Sequence, residues 1–203
     1  MLELLLLNEE VRPYLKYHGL IPTAELITGS SLASAIGLTA GTAKNNTEPW
    51  MCFEKNGTFI YVARKPYRVG VSWNNIKNAN AVYGNRTVNI KGKTYKVRLL
   101  TGSKSDPSSG TGGEWNELMY SVGSDRPANY TGPIFANYSN PQLGVGTGTS
   151  VSQIASTVCQ ETGGSNTANC IRRGREGLTY YGGLSKSDGG TTVWWRPVLE
   201  LVD

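Results

Sequence analysis

The dipeptide Asn56-Gly57 constrains this chain more than any other pair of residues. Both residues accept the positive φ that the central positions of a type I′ turn demand, and that turn joins antiparallel strands whose twist it matches. Met51 and Phe53 stand before it, Ile60 and Val62 after it, each pair spaced at the period of a strand. Closing the turn sets Phe53 opposite Ile60 and Met51 opposite Val62, so one face of the hairpin is apolar and needs a partner to bury it. A sheet therefore starts at Trp50. A second hairpin, with strands near 87–90 and 94–100, turns at Lys91-Gly92. There Val97 and Leu99 alternate with Lys96 and Arg98, which places one face in water.

Two short helices accompany these strands. Ser72 caps one that runs through Trp73, Ile76 and Lys77 to about Ala81. Trp115, Leu118 and Met119, at i, i+3 and i+4, form the buried stripe of another from about Gly113 to Tyr120. Glu114 and Glu117 fall on its far side and read as a solvated face rather than as a catalytic pair. The carboxylates of glycosidases instead flank a groove from separated elements. From Ser121 to Thr192 periodicity is faint and Gly, Asn, Ser, Thr and Tyr dominate. Tyr gives contact area there and the small polar residues give adaptability, as in binding loops. The 25 Gly, 11 Tyr and 5 Trp of the 203 residues point to long loops anchored by aromatics rather than to disorder. Trp73, Trp115 and Trp195 are core positions. A last strand runs from Val198 to Val202; since Pro197 has no backbone donor, this strand starts there or lies at an edge.

Residues 1–48 read as a docking arm attached to a domain of residues 49–203. Leu4, Leu7 and Val11 recur at helical spacing until Arg12-Pro13. A second helical stretch from about Ser31 to Ile36 carries Leu32, Ala35 and Ile36 on one face and stops at Gly37. Neither stretch buries its apolar face alone. The arm is expected to join other proteins of an assembly, while the domain folds without it.

Several function classes are disfavoured. The apolar run Leu4 to Leu7 is too short to span a bilayer, and no basic segment precedes it as in a secretion signal. The only histidine, His18, lies in the arm, so no Ser-His-Asp or Cys-His arrangement falls in the domain. No phosphate-cradling Gly motif, metal-ligand spacing or nucleic-acid-binding pattern is present, and neither a cofactor nor a metal is expected. Cys52 reads as core. Cys159 and Cys170 are near enough in sequence to pair, but a reducing cytosol would keep them apart. The net charge is +5, with basic clusters at Lys91, Lys93, Lys96 and Arg98 and at Arg172, Arg173 and Arg175. They are either solvated strand faces or an attraction to an anionic surface such as phosphate-bearing envelope glycans.

Longer motifs carry a resemblance. They are Lys65-Pro66, Val71-Ser72-Trp73-Asn74-Asn75-Ile76, Ala81-Val82-Tyr83-Gly84, Tyr95-Lys96-Val97-Arg98-Leu99-Leu100-Thr101-Gly102, Gly113-Glu114-Trp115-Asn116-Glu117-Leu118 and Trp195-Arg196-Pro197-Val198-Leu199-Glu200. With the leader from Ile27-Thr28-Gly29 to Leu38-Thr39-Ala40-Gly41-Thr42, they resemble a widespread group of phage virion-associated proteins over about residues 20 to 203. The order of elements is similar to C-type-lectin-like folds, which include phage tropism determinants and sulfatase-modifying enzymes. One departure is Asn169-Cys170-Ile171-Arg172-Arg173-Gly174, where the resemblance calls for an aromatic residue before Arg-Gly.

The resemblance implies an α+β fold with a mostly antiparallel sheet, two short helices and long Gly-rich loops. It also implies a virion structural protein, not an enzyme: a tail or fibre appendage touching bacterial surface glycans through the loops between Ser121 and Thr192. A head decoration or collar protein is the alternative, and a cell-wall-degrading enzyme a more distant one. Kinship with virion proteins, which sit on symmetry axes, further implies a homo-oligomer associating through the arm, with a trimer favoured by the threefold symmetry of fibres. Sugars stack on aromatic faces and Arg forks grip acidic substituents. The candidate ligand-binding residues are therefore Tyr130, Tyr138, Tyr180, Tyr181 and Trp194, with Arg172, Arg173 and Arg175. The competing reading is that these aromatics only pin irregular loops onto a small core.

Overall fold

Among the residues that the computed structural model describes (15–102, 112–153, 155–163 and 166–202), the chain opens with a strand, β1 (Leu15–Ile21), and a helix, α1 (Gly29–Ile36). Thr28 accepts the Ser31 amide at the start of α1, and Gly37, left-handed at φ 73°, closes it. A two-residue strand, β2 (Thr42–Ala43), precedes β3 (Trp50–Lys55) and β4 (Thr58–Ala63). Asn56 and Gly57 join β3 to β4 with φ of 52° and 82°, and Phe53 faces Ile60 and Met51 faces Val62 as the alternation requires. β5 (Arg68–Val69) leads to α2 (Trp73–Asn78), where Ser72 and Asn75 exchange hydrogen bonds in a capping box. The second hairpin, β6 (Tyr83–Ile90) and β7 (Lys93–Arg98), turns at Lys91-Gly92 with φ of 51° and 83°.

Next come a π-helix (Trp115–Met119), which continues into α3 (Tyr120–Val122), and α4 (Asn140–Leu143). The chain then forms β8 (Ser156–Thr162), β9 (Asn169–Arg173), β10 (Tyr181–Ser185), β11 (Val193–Trp195) and β12 (Val198–Val202). The strands make two six-stranded sheets, ordered β1-β3-β4-β12-β7-β6 and β10-β9-β8-β11-β5-β2. All pairs are antiparallel except β8 with β11. The chain is thus a mixed α+β fold dominated by antiparallel sheet, and it carries several short helices where the sequence suggested two.

The first sheet is buried on both faces, not on one. Trp50, Ala63, Val97, Leu99 and Leu199 pack with α1, α2 and the second sheet's Val158, Val193 and Trp195. Met51, Phe53, Ile60, Val62 and Val198 pack instead with Trp115, Leu118 and Met119 of the π-helix. Adjacent residues such as Trp50 and Met51 belong to opposite cores, as strand alternation dictates.

Three expectations change. First, residues 15–48 are not an arm. β1 pairs with β3 from Leu15–Lys55 to Ile21–Trp50, and Leu32, Ala33 and Ile36 join the first core. Ala35, placed on the apolar face by spacing, is exposed instead. The helix suggested around Leu4 to Val11 lies outside the described residues. Second, Arg98 does not face water. It is 7% exposed, forks onto Glu114 at 2.6 and 2.7 Å, and donates from Nε to Glu200 at 2.8 Å. Third, the stretch from Ser121 to Thr192 holds most of the second sheet; β8 and β9 are interrupted by a register shift and β10 is Gly-rich, which blurs their period. Of the two places that Pro197 left open for the last strand, the structure takes the first: β12 begins just after the proline, and it occupies the centre of its sheet.

Deletion of residues 1–45 is therefore expected to abolish the cooperative thermal transition followed by circular dichroism, because it removes β1 and the α1 share of the core. A truncated chain that still melts cooperatively would restore the arm reading. On the same grounds Leu32→Ala, in a fully buried site, should cost about 2–5 kcal/mol in denaturant titration.

Candidate functional site

Arg98 sets the position of the π-helix. Its carboxylate partner Glu114 also accepts the Thr101 amide at 3.2 Å, and the Glu114 amide donates back to Thr101 Oγ1 at 2.7 Å. The helix that follows is thus tied to the end of β7. Trp115 then drops into the second core and donates from Nε1 to Leu178 O at 2.9 Å, which fastens the segment before β10. The guanidinium groups of Arg173 and Arg196 lie 5.7 and 5.8 Å from its ring. Gly174 comes close to the ring; a Cβ there would lie 2.9 Å from Cη2, and its φ is 71°.

The π-helix, a wide turn often found at functional sites, brings Asn116 and Tyr120 together. Arg173 Nη2 donates to both, at 2.9 Å to Asn116 Oδ1 and 2.7 Å to the Tyr120 hydroxyl. The segment after α3 loops out and is stapled by Arg126, which donates to Tyr120 O, Ala136 O and Asn137 Oδ1. Tyr138 brings it back, with its amide on Val122 O at 2.8 Å. Asp125 Oδ2 accepts Asn140 Nδ2 and the Leu178 amide, which joins the loop to the segment before β10.

Between these parts lies an open cleft of about 690 Å³. Asn116 and Tyr120 line it from the π-helix side, Asn129 and Tyr130 from the loop, and Thr179 and Tyr181 from the start of β10. The Tyr130 ring meets the Tyr120 ring edge-on at 5.8 Å, and its hydroxyl donates to Pro133 O. Tyr181 is 36% exposed and lies 5.9 Å from the Arg173 guanidinium. Arg173 itself is 0% exposed. Among the described residues no carboxylate approaches it within ion-pair distance, and the rings of Trp115, Tyr120 and Tyr181 surround it. Burial raises the Tyr120 pKa and Arg173 offsets part of that rise, so the hydroxyl keeps its proton at neutral pH.

The sequence-derived candidates fall in three places. Tyr130 and Tyr181 line the cleft, and Arg173 lies buried behind it rather than on a binding loop. Tyr138 packs against the second core, its hydroxyl 3.1 Å from that of Tyr17. Arg172, Arg175 and Tyr180 form a separate stack, the two guanidiniums 5.7 and 5.8 Å from the ring, and Arg175 pairs with Glu176. Trp194 borders a smaller depression of about 310 Å³ with Asn45, Lys65 and Gln153. Asn116 was not singled out from the sequence, and Tyr120 was assigned to the core. It is buried, yet it also lines the cleft, and only the π-turn that pairs it with Asn116 reveals that second face.

Glu114 and Glu117, weighed above as a catalytic pair, are occupied by Arg98 and Lys55, and Asp125 is occupied by Asn140 and the Leu178 amide. Glu114 in particular is not on a solvated face. Among the described residues, no three His, Cys, Asp or Glu side chains stand where they could hold a metal ion, and no helix is long and apolar enough to cross a membrane. Cys52, Cys159 and Cys170 are all buried free thiols; burial pushes Cys52 up to about 11 and Cys170 up to about 12.

The molecule is thus an α+β domain with one open, tyrosine-walled cleft backed by a buried cation. No protein-family model, curated protein or solved structure matches the chain.

The two arginines beside Tyr180 and Tyr120 should behave differently. Arg173→Ala removes charged hydrogen bonds from a buried site and is expected to cost at least about 1.5–3 kcal/mol in chemical denaturation. Arg175→Ala should stay within about 0.5 kcal/mol.

Proposed function

We propose that this chain is a structural protein of a phage particle whose domain adheres to bacterial surface glycans through the cleft between Tyr120, Tyr130 and Tyr181. The cleft carries the reading. Its volume suits one or two sugar rings, it is open to solvent, and tyrosines from three separate segments line it. The phage assignment rests on the motif resemblance over residues 20 to 203. The return of β12 to the middle of the first sheet and the long irregular stretch from Ser124 to Tyr138 support a C-type-lectin-like kinship. Occupied carboxylates at Glu114, Glu117 and Asp125 favour binding over hydrolysis. We place the protein in a tail or fibre appendage, as a homo-oligomer with threefold symmetry, and assign its contacts with other virion proteins to surfaces away from the cleft.

Retention of the protein on immobilised bacterial envelope polysaccharides tests this. The double variant Tyr130→Ala/Tyr181→Ala should lose about tenfold or more in affinity, as expected for two stacking contacts of about 0.5–1.5 kcal/mol each. Its melting should remain cooperative. Undiminished retention would move binding elsewhere on the molecule. A protein that binds no polysaccharide but labels the capsid in particles would instead be a head decoration.

A further inference from the structure

We infer that the cleft selects acidic sugars, meeting a carboxylate or phosphate with a donor that Arg173 orients from behind; this rests on the adhesive reading above. Arg173 Nη2 donates to the Tyr120 hydroxyl oxygen and to Asn116 Oδ1. Both acceptors are thereby turned toward the buried cation. The Tyr120 proton must leave its oxygen in another direction. The Tyr120 side chain lines the cleft. A ligand there meets a donor polarised by a positive charge.

Among the described residues no carboxylate pairs with that charge. Its remaining polar partner among them is Gly102 O at 3.4 Å, and its Nε has no acceptor there. Nearby carboxylates are engaged elsewhere, Glu117 with Lys55 and Asp125 with Asn140 and the Leu178 amide. A second cation, Arg126, is bonded to the carbonyls of Tyr120 and Ala136 and to the Asn137 side chain. A charge held out of water is weakly screened, and an anion accepting from such a donor gains more than a neutral hydroxyl does. If Arg173 were only a strut, neutral and acidic sugars would bind alike.

Glucose, glucuronate and glucose 6-phosphate differ only at C6 and so isolate the charge. Titrated into the full-length protein and followed by nuclear magnetic resonance, the two acids should shift the resonances of Asn116, Tyr120, Tyr130 and Tyr181. They should bind about tenfold tighter than glucose, the ratio expected when one neutral hydrogen bond becomes charge-assisted. A preference for one acid over the other names the group as carboxylate or phosphate. Tyr120→Phe keeps the ring and removes the donor, so it should cost the acids more than it costs glucose and bring the three affinities together. Equal affinities for the three sugars in the wild type would overturn the inference and leave adhesion standing, whether or not Tyr120→Phe folds. Shifts that avoid the cleft, or none, would also overturn it; retention on polysaccharide then decides whether the adhesive reading falls as well.

Discussion

Two residues, Arg196 and Pro197, carry the chain from the second sheet to the first, and the architecture hangs on that crossing. β11 ends at Trp195 and β12 begins at Val198, so the sheets are joined with almost no slack. The Arg196 side chain is fully buried and donates to the carbonyls of Ala63, Arg64, Leu143 and Gly144. Burial disfavours its charge and lowers its pKa, and those carbonyls are what make the buried cation tolerable. In return it ties the end of β4 to the turn after α4. Pro197 gives up no needed donor there, because its carbonyl accepts the Ala63 amide instead.

The cleft follows from the same crossing. Arg196, from the link between β11 and β12, and Arg173, from the end of β9, both approach the Trp115 ring. Trp115 fixes the π-helix in depth, while the Arg98–Glu114 fork fixes where it starts. Asn116 and Tyr120 are then left no freedom to turn away from Arg173. A binding surface made this way has a rigid floor, and its adaptability is confined to Tyr130 and the loop that bears it. Preorganised donors lose little entropy when a ligand arrives.

The first half of the fold was legible because its signals are local. Asn56-Gly57, Lys91-Gly92, the Ser72 cap and the Gly37 stop each settle a turn or a helix end within a few residues, and all four occur where spacing placed them. What failed was partnership over distance. β1 looks like an arm because none of its seven residues is fully buried and they show no alternation; only β3 makes it a strand. Arg98 reads as wet because Glu114 and Glu200 are 16 and 102 residues away from it. The second sheet was hidden by glycines in β10 and by the irregular pairing of β8 with β9. Of the candidate ligand residues, Tyr130 and Tyr181 come together at the cleft. Tyr138, Tyr180, Trp194, Arg172 and Arg175 do not, since composition marks a loop as adaptable without saying which way it faces.

The place of β12 has a consequence for how the molecule is made. It lies between β4 and β7, yet every other strand of both sheets leaves the ribosome before it. Until it arrives, β4 and β7 each present an unpaired edge, and the apolar faces of Val62 and Val97 lack the Val198 and Leu199 that cover them. The nascent chain can close its two hairpins early, since their contacts are local, but the first sheet stays split in two halves until β12 has been made. Open edges of this kind invite pairing between chains. The order of the strands therefore puts a stage into synthesis at which the hairpins can be formed and the seam between them cannot.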